Sequence, residues 1–245
     1  MIEDAGPFII LDRVDSTNNY AMAQLHAGTA SHATAYFAHE QLNGKGSRGK
    51  SWQTEKAKNI ILSIVLDTTS LPVYQQFQLC IAISLACMDF LNRYVPLNCK
   101  IKWPNDLYWN DRKAGGLLIE NIIKGDLWQW AVVGIGINVN QTNFNGLPNP
   151  VSIRQITGHY YDTVTMARQL VPFVLERFNQ FKNQGGNEQL VLYNESLYKL
   201  NEHVKLKTGN VVFNTTLKGV NRQGQLNTED VMERSFDFGK VEWDL

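Results

Sequence analysis

Short apolar runs alternate with helix-like segments along most of the chain. Runs of strand length predict β-strands over residues 8–14, 33–39, 59–66, 100–102, 107–109, 115–123 and 127–140. Helices are predicted over residues 17–27, 73–94, 163–183 and 188–199. The segment 73–94 is apolar on nearly all sides, so we expect a helix that is buried against a sheet.

Individual residues refine these elements. Asp15 and Ser16 can cap the first helix, because their side-chain oxygens can accept from its free backbone N–H groups. Pro172 predicts a kink in the helix over residues 163–183, since proline removes a backbone donor. The sequence of residues 110–112 predicts a turn between two strands.

The pattern changes near Leu200, where short strands separated by Gly and Asn turns replace the longer elements. These strands are predicted over residues 204–207, 211–220, 224–228, 234–238 and 241–243. Their spacing is typical of a small β-barrel. We therefore expect an α+β protein with one large domain over residues 1–200 and a barrel over residues 201–245.

Charge and cysteine content exclude several classes of protein. The 245-residue chain has 23 Lys+Arg and 23 Asp+Glu, whereas a protein that binds nucleic acid non-specifically usually has a basic excess. The three cysteines, Cys80, Cys87 and Cys99, lie in apolar segments, so we expect reduced core residues. No Cys/His pair has the spacing of a zinc site.

The same sequence gives no membrane signal. No apolar run is long enough to cross a bilayer, and the N-terminal segment has acidic residues where a signal peptide needs basic ones. We expect a cytoplasmic protein that binds neither membranes nor DNA.

The segment 41–52 is a glycine-rich loop whose spacing first suggests a dinucleotide site. Gly44, Gly46 and Gly49 match the G-x-G-x-x-G fingerprint. That fingerprint needs a helix to follow, because the helix N-terminus binds the pyrophosphate. Here the next element is a predicted strand, so the sequence argues against a dinucleotide fold.

The cations of this loop indicate another phosphate-bearing ligand. Lys45, Arg48 and Lys50 place three positive charges within six positions of a chain without net charge. Trp52 offers a flat surface for a base or for a lid contact. Such a loop can close over a reactive acyl-adenylate and exclude water. A solvated, mobile loop is the alternative.

A second constellation, Lys-Trp-Pro-Asn-Asp over residues 102–106, combines a rigid proline with oxygen ligands. Pro104 restricts the backbone before Asn105 and Asp106. A carboxylate beside an amide oxygen can hold Mg²⁺ or orient a nucleotide. The alternative is a plain Asn-Asp turn.

Lys113 leads into Gly115 and Gly116, which permit close approach of a ligand. Its ammonium can neutralise a carboxylate and an α-phosphate as they react, and the alternative is a solvated hairpin lysine.

The strand that reads VVGIGINVN predicts one bare face. Gly134, Gly136 and Asn138 share a face because successive strand residues alternate. A flat ligand can lie against this face. The alternative is that the glycines admit a neighbouring helix.

These segments occur together and in one order, beginning with Ser16-Thr17-Asn18. KWPND, RKAGGLL and GIGINVN form a specific combination that resembles biotin–protein ligases over about residues 8–140. The resemblance implies a central mixed β-sheet with helices on one side and an SH3-like C-terminal barrel. Because the first motif begins at Ser16, it implies the form without an N-terminal DNA-binding domain.

The resemblance also implies roles for the motif residues. Biotin would be bound by Ser16, Thr17, Asn18, Gln41, Lys45, Gly46, Ser47, Lys113, Gly115, Gly116, Gly134 and Gly136. ATP would be bound by Arg48, Lys50, Trp52, Asn105, Asp106 and Asn138. Lys113 would be the catalytic residue, and Asn105 and Asp106 would hold Mg²⁺.

The implied reaction has two steps. Biotin and ATP give biotinyl-5′-AMP and pyrophosphate, and a lysine of a biotin carboxyl carrier protein then takes the biotinyl group. No nucleophile of the enzyme is required, which agrees with the lack of a recognisable Ser/His/Asp or Cys/His arrangement. Relatives are monomers or dimers, so a homodimer stays open.

The chain departs from the family in two ways. Ser47 stands where the family commonly has an arginine, which predicts looser retention of the adenylate. The lack of room before Ser16 predicts no operator binding.

Two alternative functions stay open. A lipoate or octanoate ligase or transferase shares the fold, and a non-enzymatic carrier-binding module is the alternative of another class.

Overall fold

We analysed a computed structural model, which describes residues 6–96, 98–145 and 149–244. Its first part contains seven strands that form one sheet. They are β1 (Phe8–Val14), β2 (Ala35–Gln41), β3 (Ile60–Asp67), β4 (Cys99–Lys102), β5 (Asp106–Trp109), β6 (Arg112–Lys124) and β7 (Leu127–Ile137). Their order across the sheet is β1-β2-β3-β7-β6-β5-β4. Only the β1–β2 pair is parallel among them, so the predicted mixed sheet is confirmed.

Five helices pack around this sheet in the described chain. They are α1 (Thr17–His26), α2 (Gln76–Leu91), α3 (Ile153–Thr157), α4 (Thr163–Gln184) and α5 (Asn187–Glu195). Helices α2 and α4 bury the sheet face that carries Phe37 and Ile64. Helix α1 covers the other face through Ala21, against Tyr36 and Val65. The expectation of helices on one side is therefore wrong for α1, whose alanine-containing face fits closely against the sheet.

Several predicted boundaries move by a few residues. The predicted helix over residues 73–94 starts with a 3₁₀ turn at Val73–Gln75, and strand β7 ends at Ile137 instead of residue 140. Helix α5 ends at Glu195, four residues before the predicted end. Helix α4 contains Pro172 and continues past it. The kink that the sequence predicts near this proline stays a prediction.

Helix α3 escaped prediction because it has only one turn. Ser152 accepts from Gln155 N, and the Gln155 side chain accepts from Ser152 N, which completes a capping box. Gly158, with φ 77°, ends the helix in the left-handed region.

The C-terminal segment forms a second, antiparallel sheet, as expected. Its strands are β8 (His203–Thr208), β9 (Val211–Val220), β10 (Leu226–Glu229), β11 (Glu233–Phe236) and β12 (Glu242–Trp243), in the order β11-β10-β9-β8-β12. Leu206 and Leu217 from this sheet share a core with Ile81, Trp103 and Tyr193. The second sheet is thus packed firmly against α2, α5 and the 102–106 turn.

The cysteines and the helices add two simple facts. Cys80, Cys87 and Cys99 are all free thiols, and burial raises the pKa of Cys80 and of Cys99 to about 12. Cys87 and Cys99 lie in the core, as the sequence predicted, whereas Cys80 is only partly buried and lines a cavity. None of the described helices is both long and apolar enough to cross a membrane.

Candidate active site

A pocket lies on the α1 face of the sheet, opposite α2 and α4. Most residues that the motifs singled out meet on its wall. They are Ser16, Thr17, Asn18, Gln41, Lys45, Gly46, Ser47, Trp52, Asp106, Lys113, Gly116, Gly134 and Gly136. The side chain of Ile61 on β3 adds apolar surface. Gly115, Arg48, Lys50, Asn105 and Asn138 do not line this pocket.

The first turn of α1 builds one end of the pocket. Ser16 caps the helix by accepting from Asn19 N. Thr17 donates from its backbone N to Gln41 Oε1 at 2.9 Å and from its hydroxyl to the same oxygen at 3.2 Å. The Gln41 oxygen is therefore held by protein, which leaves its amide NH₂ as a donor for a ligand.

Ser63 on β3 is a polar support that the sequence did not reveal. Its buried hydroxyl lies 2.8 Å from Thr17 Oγ1 and 2.6 Å from Asn18 Oδ1. Ser63 stands on the same strand face as Ile61, which lines the pocket. A single serine in an otherwise apolar strand was the only available signal.

Glu120 links two of the predicted residues. Asn18 Nδ2 donates to Glu120 Oε2 at 2.8 Å and to Leu118 O at 3.2 Å. Lys45 Nζ lies 3.4 Å from Glu120 Oε1. Because both amide hydrogens of Asn18 have protein acceptors, Asn18 shapes the pocket and has little left to donate to a ligand.

Paired glycines form the floor. Gly116 on β6 lies directly opposite Gly136 on β7. A Cβ atom on Gly136 would come within 2.5 Å of the Trp52 ring, and one on Gly134 within 2.5 Å of Asn18 Oδ1. The glycines thus face the pocket as predicted, but this face is covered. At Gly134 the missing side chain leaves room for Asn18 of helix α1, as the alternative supposed, while contact of Gly134 with biotin stays a prediction.

The loop over residues 41–52 folds back as a narrow hairpin over this floor. Gly46 N donates to Lys50 O at 2.6 Å, and Trp52 N donates to Gly44 O at 2.8 Å. Trp52 Nε1 is buried without a hydrogen-bond partner. The space left for solvent in the pocket is about 50 Å³, far below the 300 Å³ or more of typical ligand sites. The Trp52 ring thus occupies much of the space above the glycine floor.

The tip of the hairpin docks on the C-terminal sheet. Arg48 adopts φ 60°, a left-handed conformation that is uncommon for a non-glycine residue. Its guanidinium lies 3.0 Å from Glu242 Oε1 and donates to Gly239 O at 3.2 Å. Arg48, predicted to bind ATP, thus points to the barrel in this conformation.

Lys113 and Asp106 form the charged end of the pocket. Lys113 Nζ lies 2.6 Å from Asp106 Oδ1 and 5.6 Å from the centre of the Trp52 ring. Both side chains are about one-third exposed or less. An ammonium held between a carboxylate and an indole face is positioned to meet an anionic ligand.

The turn that carries Asp106 is clamped from behind. Tyr193 OH on α5 donates to Pro104 O at 2.8 Å, and Trp103 Nε1 donates to Gly224 O of the barrel at 3.0 Å. Both clamping groups lie far along the chain, so the motif alone could not predict them.

We expect the Tyr193→Phe variant to lose about 1–2 kcal/mol of unfolding free energy, because the partly buried Pro104 carbonyl loses its strong donor. Urea unfolding monitored by circular dichroism measures this loss. Tyr160→Phe is the matched control, because Tyr160 is 60% exposed and should change little. Equal effects of the two substitutions would contradict the clamp.

Lys102, in the same motif, is buried beneath the site. Burial lowers the pKa of its ammonium to about 8, and the cations Lys113 and Lys50 act in the same direction, while Asp106 opposes them. Its Nζ donates to Tyr108 OH at 3.1 Å. Lys50 does not line the pocket, but it lies close enough to Lys102 to lower the pKa of that ammonium.

Comparison with known proteins decides the family. The sequence model of the Biotin/lipoate A/B protein ligase family matches residues 10–138, which is more than half of the chain. The chain belongs to this family.

Relatives within the family extend the likeness beyond the matched segment. The chain is 29% identical over 229 residues to the bifunctional ligase/repressor BirA of Escherichia coli, covering 92% of this chain and 70% of BirA. It is 29% identical to the biotin–[acetyl-CoA-carboxylase] ligase of Paracoccus denitrificans, covering 89% and 92% of the two chains. The Aquifex aeolicus biotin protein ligase, solved with biotin and ATP, superposes with a TM-score of 0.79 at 25% identity, covering 96% and 97%.

The remaining motif residues of this family member support the site from outside. Asn138 lies just past β7 and donates to Lys113 O and to Val151 O, both at 3.2 Å. Gly115 lies between Leu107 and Ile137 within the sheet. Both residues hold the strand that presents Lys113, and their predicted contacts with ATP and biotin stay predictions.

Proposed function

We propose that the chain activates biotin with ATP to biotinyl-5′-AMP and transfers the biotinyl group to a lysine of a biotin carboxyl carrier protein. The observation that carries this proposal is the division of one pocket into two ends. Hydroxyl and amide groups of Ser16, Thr17 and Gln41 lie at the end where α1 meets Gly134, and the Lys113–Asp106 pair lies at the end where Gly116 faces Gly136.

The polar end suits the ureido ring. A urea presents one carbonyl acceptor and two N–H donors, so a buried urea needs both kinds of partner. Gln41 offers its amide NH₂, and the Ser16 hydroxyl still has its hydrogen to donate. The Thr17 hydroxyl gives its hydrogen to Gln41 and can therefore only accept from a ligand. The acyl chain of octanoate has no polar group that would use this end.

The charged end suits adenylation. When the biotin carboxylate attacks the α-phosphorus of ATP, two anions approach each other and negative charge builds on the phosphoryl oxygens. Lys113 would neutralise this charge, and the cations of the hairpin would add to the effect as it closes. Positioning of the two substrates supplies the rest of the rate.

The residues of the 102–106 turn fit a supporting role for magnesium. Asn105 Nδ2 donates to Leu117 O at 2.6 Å, which leaves its carbonyl oxygen as a ligand. Asp106 shares one oxygen with Lys113. No cluster of three or more His, Cys, Asp or Glu occurs in the described chain. Asn105 and Asp106 would thus add a ligand or two to a Mg²⁺ held mainly by ATP phosphates and water.

Acyl-adenylate formation tests the proposal against the lipoate and octanoate alternatives. The chain is incubated with ATP and each acid in turn, and the acyl-adenylate is identified by mass spectrometry. We expect biotinyl-AMP. Formation of lipoyl-AMP or octanoyl-AMP without biotinyl-AMP would contradict the choice of substrate.

The Ser47→Arg variant tests how the loop retains the adenylate. Ser47 lines the pocket near the tip of the hairpin, and an arginine there would add a bidentate phosphate contact. We expect release of biotinyl-AMP, measured by rapid filtration, to slow by about tenfold, the equivalent of about 1.4 kcal/mol. An unchanged release rate would show that position 47 does not control retention.

The other expectations complete the proposal. Residues 1–200 would carry catalysis, and the SH3-like segment 201–245 would support the 102–106 turn and the hairpin. The chain would act in the cytoplasm without binding operator DNA, as a monomer or a homodimer.

A further inference from the structure

A second cavity of about 260 Å³ lies beside the pocket, where β5 stops. Strand β5 pairs with β6 only as far as the Asp106–Gly116 pair, while β6 runs on to Lys124. Asn105 adds one more hydrogen bond to this edge of β6, because its backbone O accepts from Leu117 N at 3.0 Å. Beyond Leu117, no described strand pairs with this edge of β6, and the cavity fills the gap between the edge and the start of α2.

The cavity adjoins the active-site pocket. Ser47, Leu117 and Leu118 line both spaces. Asn105 lines the cavity, and the next residue, Asp106, lines the pocket. A group in the cavity therefore lies against residues that border the pocket of the Lys113–Asp106 pair.

The wall of the cavity selects for an uncharged, aliphatic group. Phe77, Cys80, Ile119 and Phe238 give it apolar surface, and none of the described wall residues is charged. A phosphate would find no cation there. The amide of Asn121 is already engaged, since it donates to Gln76 and accepts from Trp128.

We propose that this cavity is the passage through which the acceptor lysine of the carrier reaches the acyl-adenylate. The inference rests on the function proposed above. A lysine side chain has four methylene groups and a terminal amine, which match an apolar passage that ends at a polar junction. Desolvation lowers the pKa of an amine, so the passage also favours the neutral, nucleophilic form.

The chemical step balances without any further reactant. The neutral amine nitrogen attacks the acyl carbonyl carbon, and a C–N bond forms. The bond between that carbon and the phosphate oxygen breaks, and AMP leaves with the electron pair. The nitrogen sheds one proton to solvent, which leaves a neutral amide.

The Ile119→Trp variant narrows the passage from its β6 side. We expect biotinyl-AMP formation to stay within about twofold of the parent chain. Transfer to a purified biotin carboxyl carrier domain should fall at least about tenfold, or about 1.4 kcal/mol in transition-state free energy. Hydroxylamine, a small nucleophile that does not need the full width, should still consume the bound adenylate at a rate within about threefold.

A second variant that narrows the passage and a control variant complete the test. Cys80→Leu narrows the same passage from α2 and serves if Ile119→Trp fails to fold. Ile10→Trp is the matched control, because Ile10 is 42% exposed on β1, at the opposite edge of the sheet. The control should transfer biotin normally.

Several results would overturn the passage. Normal transfer to the carrier by folded Ile119→Trp or Cys80→Leu would exclude it. An equal fall in carrier and hydroxylamine reactions would place the defect at the acyl group and not in the passage. Lack of biotinyl-AMP in the parent chain would instead refute the proposed function itself.

Discussion

Replacing Lys113 with alanine is expected to slow biotinyl-AMP formation by about 100- to 1000-fold, the usual cost of removing one preorganised electrostatic group. Lys113 Nζ lies 2.6 Å from Asp106 and faces the Trp52 ring, so the charge is held in place before substrates arrive. Biotin affinity should change much less, because the polar end of the pocket does not involve Lys113.

Pyrophosphate release and isothermal titration with biotin measure the two quantities separately. Lys58→Ala is a matched control, since the Lys58 ammonium lies 5.3 Å from the centre of the Tyr160 ring and Lys58 does not line the pocket. The control should keep both values. Adenylate formation that is unchanged in Lys113→Ala would remove its assigned catalytic role.

Replacing Gly136 with valine is expected to weaken biotin binding by about ten- to 100-fold, in line with the 1–3 kcal/mol cost of overfilling a packed site. Gly136 on β7 is paired with Gly116 on the adjacent strand β6. Even a Cβ atom on Gly136 would meet the Trp52 ring. The added methyl groups would occupy the space that the ligand needs.

The double variant Gly136→Val/Trp52→Ala separates the two obstacles. If the valine itself blocks the ligand, removing the indole should not restore biotin affinity. Thermal unfolding of each variant checks that the sheet is intact. Normal biotin affinity in Gly136→Val would refute the assignment of this floor to the ligand.

Sequence patterns predicted most of the elements because periodicity and turn residues are local properties. Residues of the pocket wall such as Gly116 and Gly136 also stood out, since glycine in an apolar strand demands a reason. Their direct pairing could not be read from the sequence, because strand register depends on contacts between distant segments.

Residues that support the site from elsewhere gave little or no sequence signal. Ser63 and Glu120 hold Asn18, and Tyr193 holds the 102–106 turn, each across a long stretch of chain. The contact of Arg48 with Glu242 spans almost the whole sequence. Such pairings arise from the packing of helices α1 and α5 and of the C-terminal sheet around the site, and a motif cannot encode its distant partner.

The exact position of Trp52 could not be predicted from the sequence. The sequence offered it as a base or lid contact, and the structure places its ring over Gly136 with its indole N–H unpaired, while its contact with ATP stays a prediction. A residue that fills its own pocket in this conformation is consistent with a loop that rearranges around the ligand.

Transfer of biotin to a carrier tests the central claim most directly. The chain is incubated with biotin, ATP, Mg²⁺ and a purified biotin carboxyl carrier domain, and the carrier is analysed by mass spectrometry. We predict that one lysine gains one biotinyl group, and only when ATP is present. A carrier that stays unmodified, while a lipoyl or octanoyl carrier is acylated instead, would contradict the account.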